Sequence, residues 1–122
     1  MLKLIIADDE RIIRETISTI INWKEYDIEV VGLCKNGMET YDMIMEETQD
    51  IVLTDIRMPG MDGLELISRI SGTDLNVQFI ILSGYGEFEY AKEAMKNGVK
   101  YYLLKPCNEL QIIDCIEQCK KD

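Results

Sequence analysis

A short apolar run that ends in an acid and is then interrupted limits how this chain can fold. Residues 51–63 read IVLTDIRMPGMDG, so Asp55 closes the run and Pro59, Gly60 and Gly63 break the segment that follows. An apolar run without alternation is typical of a strand buried on both faces, as in a parallel sheet. The carboxyl ends of parallel strands are where α/β sheets carry their chemistry. The pattern therefore predicts a functional role for Asp55.

Two further apolar runs end in charged residues. LKLIIA is followed by Asp8, Asp9 and Glu10, and YYLLKP ends in Lys105 and Pro106. Because parallel strands bring their carboxyl ends to one edge, these side chains are expected to converge with the acid of the central run. Several carboxylates and one lysine at such an edge describe a site for a divalent cation and a phosphoryl group.

Apolar strand patterns alternate with helical patterns along the whole chain, which predicts a single α/β domain over residues 1–122. The predicted strands are residues 2–7, 28–33, 51–54, 77–82 and 101–104, and the predicted helices end near residues 21, 47, 70, 96 and 120. Five such units fit a flavodoxin-like (βα)5 fold, a doubly wound parallel sheet with strand order 2-1-3-4-5. Its switch point lies between strands one and three, which places Asp8, Asp9 and Asp55 at one crevice.

Finer features of the helices also follow from the sequence. In the fourth helix, the spacing of Phe88, Ala91 and Met95 predicts that these three side chains face the core. Asn108 is the expected N-cap of the last helix, and Asp62 is expected to fix the turn or cap the third helix.

Composition narrows the function classes. The net charge is −10, from 23 acidic and 13 basic residues, and this argues against nucleic-acid binding by the domain. No apolar stretch approaches the ~20 residues that span a bilayer, and no leader pattern is seen, so a cytoplasmic protein without a membrane partner is expected. Histidine is absent and the four cysteines form no CxxC pair, which argues against a zinc site and against histidine-based catalysis.

The predicted site has a direct chemical interpretation. Mg²⁺ prefers oxygen ligands, so Asp9 and Asp55 are expected to bind it directly and Asp8 through water. Lys105 would offset negative charge as a point cation. Asp55 would then attack a phosphoryl donor as a carboxylate nucleophile.

Four blocks in this order, IIADDE, TDIRMPGMDG, LSGYG and YYLLKP, give a specific resemblance. Over essentially its whole length the chain resembles the receiver domain of a bacterial response regulator. The resemblance implies that Asp55 is the phosphoacceptor and that Asp8 and Asp9 are the acidic pair that holds Mg²⁺. It also implies that the backbone carbonyl of Arg57 is a metal ligand.

The resemblance further assigns the residues that respond to phosphate. Ser83 matches the switch serine or threonine that follows the phosphoryl group, and Lys105 matches the lysine that contacts it. Tyr102 matches the aromatic that changes rotamer on activation, and a cis peptide is implied between Lys105 and Pro106. These matches imply a switch and not a turnover enzyme.

The resemblance also implies partners, namely a histidine kinase and an output domain in a longer parent chain. INWKEYDIEVVG and LSGYGEFEYAKEAM resemble receivers attached to AraC-type helix-turn-helix domains, which points to transcription regulation. A homodimer formed on phosphorylation belongs to the same expectation. Tyr101 stands where an acidic residue is common, and this departure argues against the standard dimer interface.

Three other classes share parts of this pattern. A haloacid-dehalogenase-type phosphatase would also use an aspartyl nucleophile, but it needs an aspartate at the position of Arg57. A flavodoxin-like redox protein would need a Ser-, Thr- and Gly-rich first loop, where this chain has DDER. A degenerate receiver would lack part of the set Asp8, Asp9, Asp55 and Lys105, which is intact here.

Overall fold

The computed structural model describes residues 1–47 and 49–121. Five strands alternate with five α-helices, and one 3-10 helix lies between the first helix and the second strand. The elements are β1 (Leu2–Ala7), α1 (Arg11–Ile20), the 3-10 helix (Trp23–Tyr26), β2 (Ile28–Cys34), α2 (Gly37–Glu46), β3 (Ile51–Asp55), α3 (Gly63–Ser71), β4 (Gln78–Ser83), α4 (Phe88–Lys96), β5 (Tyr101–Leu104) and α5 (Glu109–Lys121).

All neighbouring strands pair in parallel, in the order β2-β1-β3-β4-β5. The predicted fold class and strand order are therefore confirmed. β1 lies beside β3 with Ala7 opposite Thr54, so the residues that follow the two strands emerge next to each other. β3 in turn lies beside β4, where Asp55 is opposite Leu82.

The sheet separates two apolar cores, because alternate residues of each strand point to opposite faces. On one face, Ile5 and Val52 pack with side chains from α2, α3 and α4. On the other face, Leu4 and Leu53 pack with side chains from α1 and α5. Such a two-sided cover is what continuous apolar strands require.

The prediction for the buried face of α4 was partly wrong. Ala91 is buried as expected, but Phe88 is 60% exposed and Met95 is 40% exposed. The second buried residue of α4 is Ala94. The helix thus contacts the core through two alanines and leaves its large apolar side chains outside, because small residues let a helix approach its neighbours closely.

The 3-10 helix was not predicted, since its sequence WKEY carries no helical periodicity. It ends at Asp27, which adopts the left-handed conformation with φ 59°. Trp23 is buried and donates from its indole Nε1 to the carbonyl of Ile17 at 3.3 Å. Lys120 donates from Nζ to the Tyr26 carbonyl at 2.7 Å and so ties the end of α5 to this segment.

Both predicted helix caps are confirmed. The Asp62 side chain accepts a hydrogen bond from the Glu65 backbone N–H at 2.9 Å. Asn108 and Gln111 form a reciprocal pair, in which each side chain accepts from the other residue's backbone N–H. This is the capping-box arrangement, which satisfies two helix-terminal donors at once.

None of the helices formed by residues 1–47 and 49–121 combines the length and apolar character that crossing a membrane requires.

Candidate functional site

Three carboxylates meet at the carboxyl edge of the sheet. Asp8 and Asp9 follow β1 directly, and Asp55 is the last residue of β3. One oxygen from each lies within 4.8 Å of the others. Asp8 is fully buried and Asp55 is only 5% exposed, whereas Asp9 is exposed to solvent. The cluster is therefore open on one side, and its acidic oxygens could hold a metal ion.

Asp8 is held in place from two sides. Its Oδ1 accepts a hydrogen bond from the Glu10 backbone N–H at 2.9 Å, and its Oδ2 lies 3.0 Å from Lys105 Nζ. The second contact is an ion pair without hydrogen-bond geometry, so Oδ2 is a buried oxygen with no hydrogen-bond partner among the described residues. The Arg14 guanidinium also donates to the Asp8 backbone carbonyl, at 3.1 Å. A buried carboxylate oxygen of this kind is suited to a cation or its bound water.

Lys105 follows β5 and brings its ammonium group to the carboxylates. Nζ lies 3.2 Å from Asp55 Oδ2 in addition to its contact with Asp8. The Lys105 backbone N–H donates to the Ser83 carbonyl at 2.8 Å, which fixes the residue at the end of β4 as well. Burial disfavours the charged amine, but the ion pairs with Asp8 and Asp55 outweigh it and raise the pKa of Lys105. The lysine therefore stays protonated beside the two acids.

The surroundings of Asp55 disfavour its charged form. Burial raises its pKa from 3.8 to about 7, and the negative charge of Asp8 adds to this effect, while Lys105 opposes it. A carboxylate with this surrounding gains from any added cation, because the cation stabilises its charged form. The positive charge of Lys105 thus does not fully offset the effects of burial and of Asp8 on the pKa of Asp55.

The backbone at Asp55 is in close contact with the start of α3. The Gly63 N–H donates to the Ile56 carbonyl at 3.0 Å, and a Cβ at Gly63 would lie 2.6 Å from the Asp55 carbonyl oxygen. No side chain fits there without backbone movement, so the glycine lets the β3–α3 loop fold back against the end of β3. The Ile56 N–H donates to the Leu82 carbonyl at 3.0 Å and carries the strand pairing one residue beyond Asp55.

Arg57 lies two residues beyond β3 and is exposed. No backbone hydrogen bond to its carbonyl is present within the described residues. Its guanidinium carbon lies 4.4 Å from the centre of the Tyr90 ring on α4. The sequence gives no sign of a role for Tyr90, because a contact between an arginine in a loop and an aromatic ring on a helix leaves no local pattern.

The two predicted switch residues lie on neighbouring strands. Ser83 is the last residue of β4 and is buried, and Leu104 pairs with it on β5. Tyr102 is two residues earlier on β5 and is 45% exposed, so its ring lies outside the core. Beyond Ser83, the Gly84 N–H donates to the Glu87 carboxylate, a contact that the sequence did not suggest. This contact orders the loop between β4 and α4.

A comparison with protein families decides the relationship. The family model described as response regulator receiver domain matches residues 4–117. The chain belongs to this family. The matched range includes every carboxylate and the lysine of the site, together with all five strands except the first residues of β1.

Curated relatives of this receiver domain are regulatory proteins. The transcriptional regulatory protein YesN of Bacillus subtilis is 56% identical over 118 residues, which is 97% of this chain and 32% of that protein. The transcriptional regulatory protein HptR of Staphylococcus aureus is 43% identical over 112 residues, covering 92% of this chain and 44% of that protein. The chain thus spans 32% and 44% of the length of these two relatives.

Solved receiver structures share the fold. The REC domain of AraT, a response regulator from Geobacillus stearothermophilus, superimposes with a TM-score of 0.92 at 38% identity, covering 98% of this chain and 93% of that one. A two component transcriptional regulator AraC from Clostridium phytofermentans gives a TM-score of 0.90 at 31% identity, covering 99% and 94%. The family match excludes the flavodoxin-type redox protein and the haloacid-dehalogenase-type phosphatase, and it leaves a response regulator receiver domain.

Proposed function

We propose that the chain is a phosphoacceptor switch in which Asp55 receives a phosphoryl group from a partner histidine kinase. The observation that supports this most directly is the position of Asp55. It is a nearly buried carboxylate at the end of a central strand, 3.2 Å from Lys105 Nζ and beside two further acids. A nucleophilic carboxylate needs a fixed position and charge neutralisation around it, and this arrangement offers both.

Mg²⁺ is the proposed cofactor. Asp8, Asp9 and Asp55 would hold it together with the Arg57 carbonyl, because one oxygen from each carboxylate lies within 4.8 Å of the others. Hard oxygen ligands with several carboxylates are the donors that this ion prefers. When bound, the ion would supply positive charge against the transferring phosphoryl group.

The chain's own groups then have defined tasks. An Asp55 oxygen forms a bond to the phosphorus of the donor, and the bond from phosphorus to the donor's leaving group breaks, with its electron pair leaving on that group. Lys105 Nζ, which is already 3.2 Å from Asp55, would donate hydrogen bonds to the phosphoryl oxygens. Ser83 would approach the same oxygens from the end of β4. Because Asp55 must be ionised to attack, and its pKa is raised, a bound cation would increase the fraction of Asp55 that can react.

The proposed switch joins Ser83 to Tyr102. Drawing the Ser83 side chain toward a phosphoryl group would free space beside α4, into which the half-exposed Tyr102 ring could rotate. The surface formed by α4, β5 and α5 would then change shape. This is a two-state element, and the phosphoryl group can shift it only by the difference between its contacts in the two states.

In a longer parent chain, the surface formed by α4, β5 and α5 would control an output domain. The relatives named as transcriptional regulators are two to three times longer than this chain, which supports a DNA-binding output domain outside it. A homodimer formed on phosphorylation is one way to transmit the change. The net charge of −10 argues that the receiver itself does not bind nucleic acid, so DNA binding would belong to the output domain. We place this regulator in the cytoplasm.

Mass spectrometry tests the proposed function. The protein is incubated with Mg²⁺ and acetyl phosphate, and one hydroxylamine-sensitive phosphoryl group is expected on the peptide that contains Asp55. Asp55→Asn should remain unmodified, because an amide is not a nucleophile of this kind. Asp42→Asn, which changes an exposed carboxylate on α2, is the matched control and should react like wild type. Phosphorylation of Asp55→Asn at wild-type stoichiometry would show that another residue is the acceptor.

A further inference from the structure

The positive charge of Arg57 lies close in sequence to the carboxylates that would bind a cation. A guanidinium is always protonated and binds carboxylates through two parallel hydrogen bonds. Arg57 is two residues from Asp55, and Asp9 of the same cluster is exposed. An arginine in this place is expected to pair with these acids and so to compete with a cation for their oxygens.

The structure shows a different arrangement. The ion pairs of the cluster are those of Lys105 with Asp8 and Asp55, and within the described part of the chain none joins Arg57 to a carboxylate. The Arg57 guanidinium carbon instead lies 4.4 Å from the centre of the Tyr90 ring. This distance is well inside the ~6 Å limit for a cation–π contact. The side chain is thus directed from its loop toward α4.

The Tyr90 ring projects from the first turn of α4. Tyr90 is the third residue of α4, and its backbone N–H donates to the Glu87 carbonyl at 3.1 Å. The next residue, Ala91, is buried in the core beneath the helix, and Ala94 follows it one turn later. Tyr90 itself is 37% exposed, which leaves a ring face open to a neighbouring side chain. The Tyr90 ring therefore offers a face against which the Arg57 guanidinium lies.

We propose that Tyr90 is a positioning residue whose ring holds the Arg57 guanidinium away from Asp9 and Asp55, so that both carboxylates stay open to the cation and the phosphoryl donor. The inference rests on the proposed function, because it concerns access to that same site. Without the ring, Arg57 would spend part of its time paired with the acids, and a cation would have to displace it. Tyr90 would then influence the reaction without touching a reacting atom.

Calorimetric titration with Mg²⁺ measures this effect. In Tyr90→Leu, we expect the dissociation constant to rise about two- to fivefold, the range that corresponds to an exposed cation–π contact. The phosphorylation rate with acetyl phosphate should fall at low Mg²⁺ and recover at saturating Mg²⁺, because excess cation displaces the arginine. Tyr90→Phe keeps the ring face and should behave like wild type.

Phe88→Leu is the matched control on the same helix. Phe88 is also exposed and also lies near a cation, since Lys92 Nζ is 5.5 Å from its ring centre, but among the described residues no cation–π contact joins it to Arg57. Its replacement should leave Mg²⁺ affinity at the wild-type value. If Tyr90→Leu does not fold, Tyr90→Gln takes its place, because glutamine is a good helix former without a ring.

The decisive measurement is made in an Arg57→Ala background, which keeps the backbone carbonyl at this position. There, Tyr90→Leu should cause no further change in Mg²⁺ affinity, because the group that the ring restrains is gone. An equal loss of affinity with and without Arg57 would show a merely structural role for Tyr90 and overturn the inference. An unchanged affinity in the single variant would also overturn it. If wild type itself binds no Mg²⁺, the proposed function fails instead.

Discussion

Replacing Asp55 by asparagine should stabilise the metal-free protein, and the gain should depend on pH. Burial, with the charge of Asp8, raises the pKa of Asp55 from 3.8 to about 7. The folded state therefore binds this proton more tightly than the unfolded state. Stability contributed by the neutral carboxyl is fully present at low pH, decreases as pH rises from 3.8, and is lost above about pH 7.

The size of the effect follows from that interval. Each pH unit between the two pKa values corresponds to about 1.4 kcal/mol, so the interval of about three units amounts to about 4 kcal/mol. Asparagine resembles the neutral acid in shape and charge at every pH. Asp55→Asn should thus match wild type in stability near pH 4 and exceed it by up to about 4 kcal/mol at pH 8.

Urea unfolding in the presence of a chelator measures this difference at several pH values. Trp23 fluorescence is a suitable signal because the indole is buried in the core beneath α1 and becomes exposed on unfolding. Asp42→Asn, which removes an exposed charge, should leave the pH dependence close to that of wild type. If Asp55→Asn and wild type show the same pH dependence between pH 4 and 8, the electrostatic reasoning is wrong.

Three further outcomes are expected. Asp9→Ala should weaken Mg²⁺ binding, measured by calorimetry, because it removes a carboxylate from the cluster. Equal affinity in the variant and in wild type would contradict the assignment of Asp9 as a ligand. Ser83→Ala should still allow phosphorylation but should abolish the NMR shifts around Tyr102 that we expect phosphorylation or beryllofluoride to cause in wild type. Shifts of wild-type size would exclude the proposed coupling. Gly63→Ala should lower the free energy of unfolding by about 1–3 kcal/mol in a denaturant titration, since the added methyl would lie 2.6 Å from the Asp55 carbonyl oxygen, and wild-type stability would show that the loop adapts.

The sequence predicted strands and helix caps well, because these depend on residues that are close together along the chain. The apolar runs located all five strands, and the predicted strand order brought together the acids at the carboxyl ends of β1 and β3. Caps such as Asp62 and Asn108 were recognisable because their hydrogen bonds lie within one turn. The expected roles of the site residues remain predictions that the experiments above address.

Features that depend on tertiary contacts were missed. Phe88 and Met95 follow helical spacing but lie outside, because α4 meets the core through Ala91 and Ala94. The contact between Arg57 and an aromatic ring on another helix has no sequence signature. Periodicity describes how a helix could be buried, whereas the residues that actually face the core are chosen by how closely neighbouring elements approach.

The division of the interior by the sheet has a consequence for how substitutions combine. Ile17 belongs to the core shared with α5, and Ile67 belongs to the core shared with α2 and α4. Because the two side chains share no packing partners, the destabilisation caused by Ile17→Val and Ile67→Val should be additive within about 0.5 kcal/mol. Each layer can therefore accumulate changes independently of the other. The carboxyl edge has no such freedom, because Asp8, Asp55 and Lys105 share contacts and a change in one alters the effect of a change in the next.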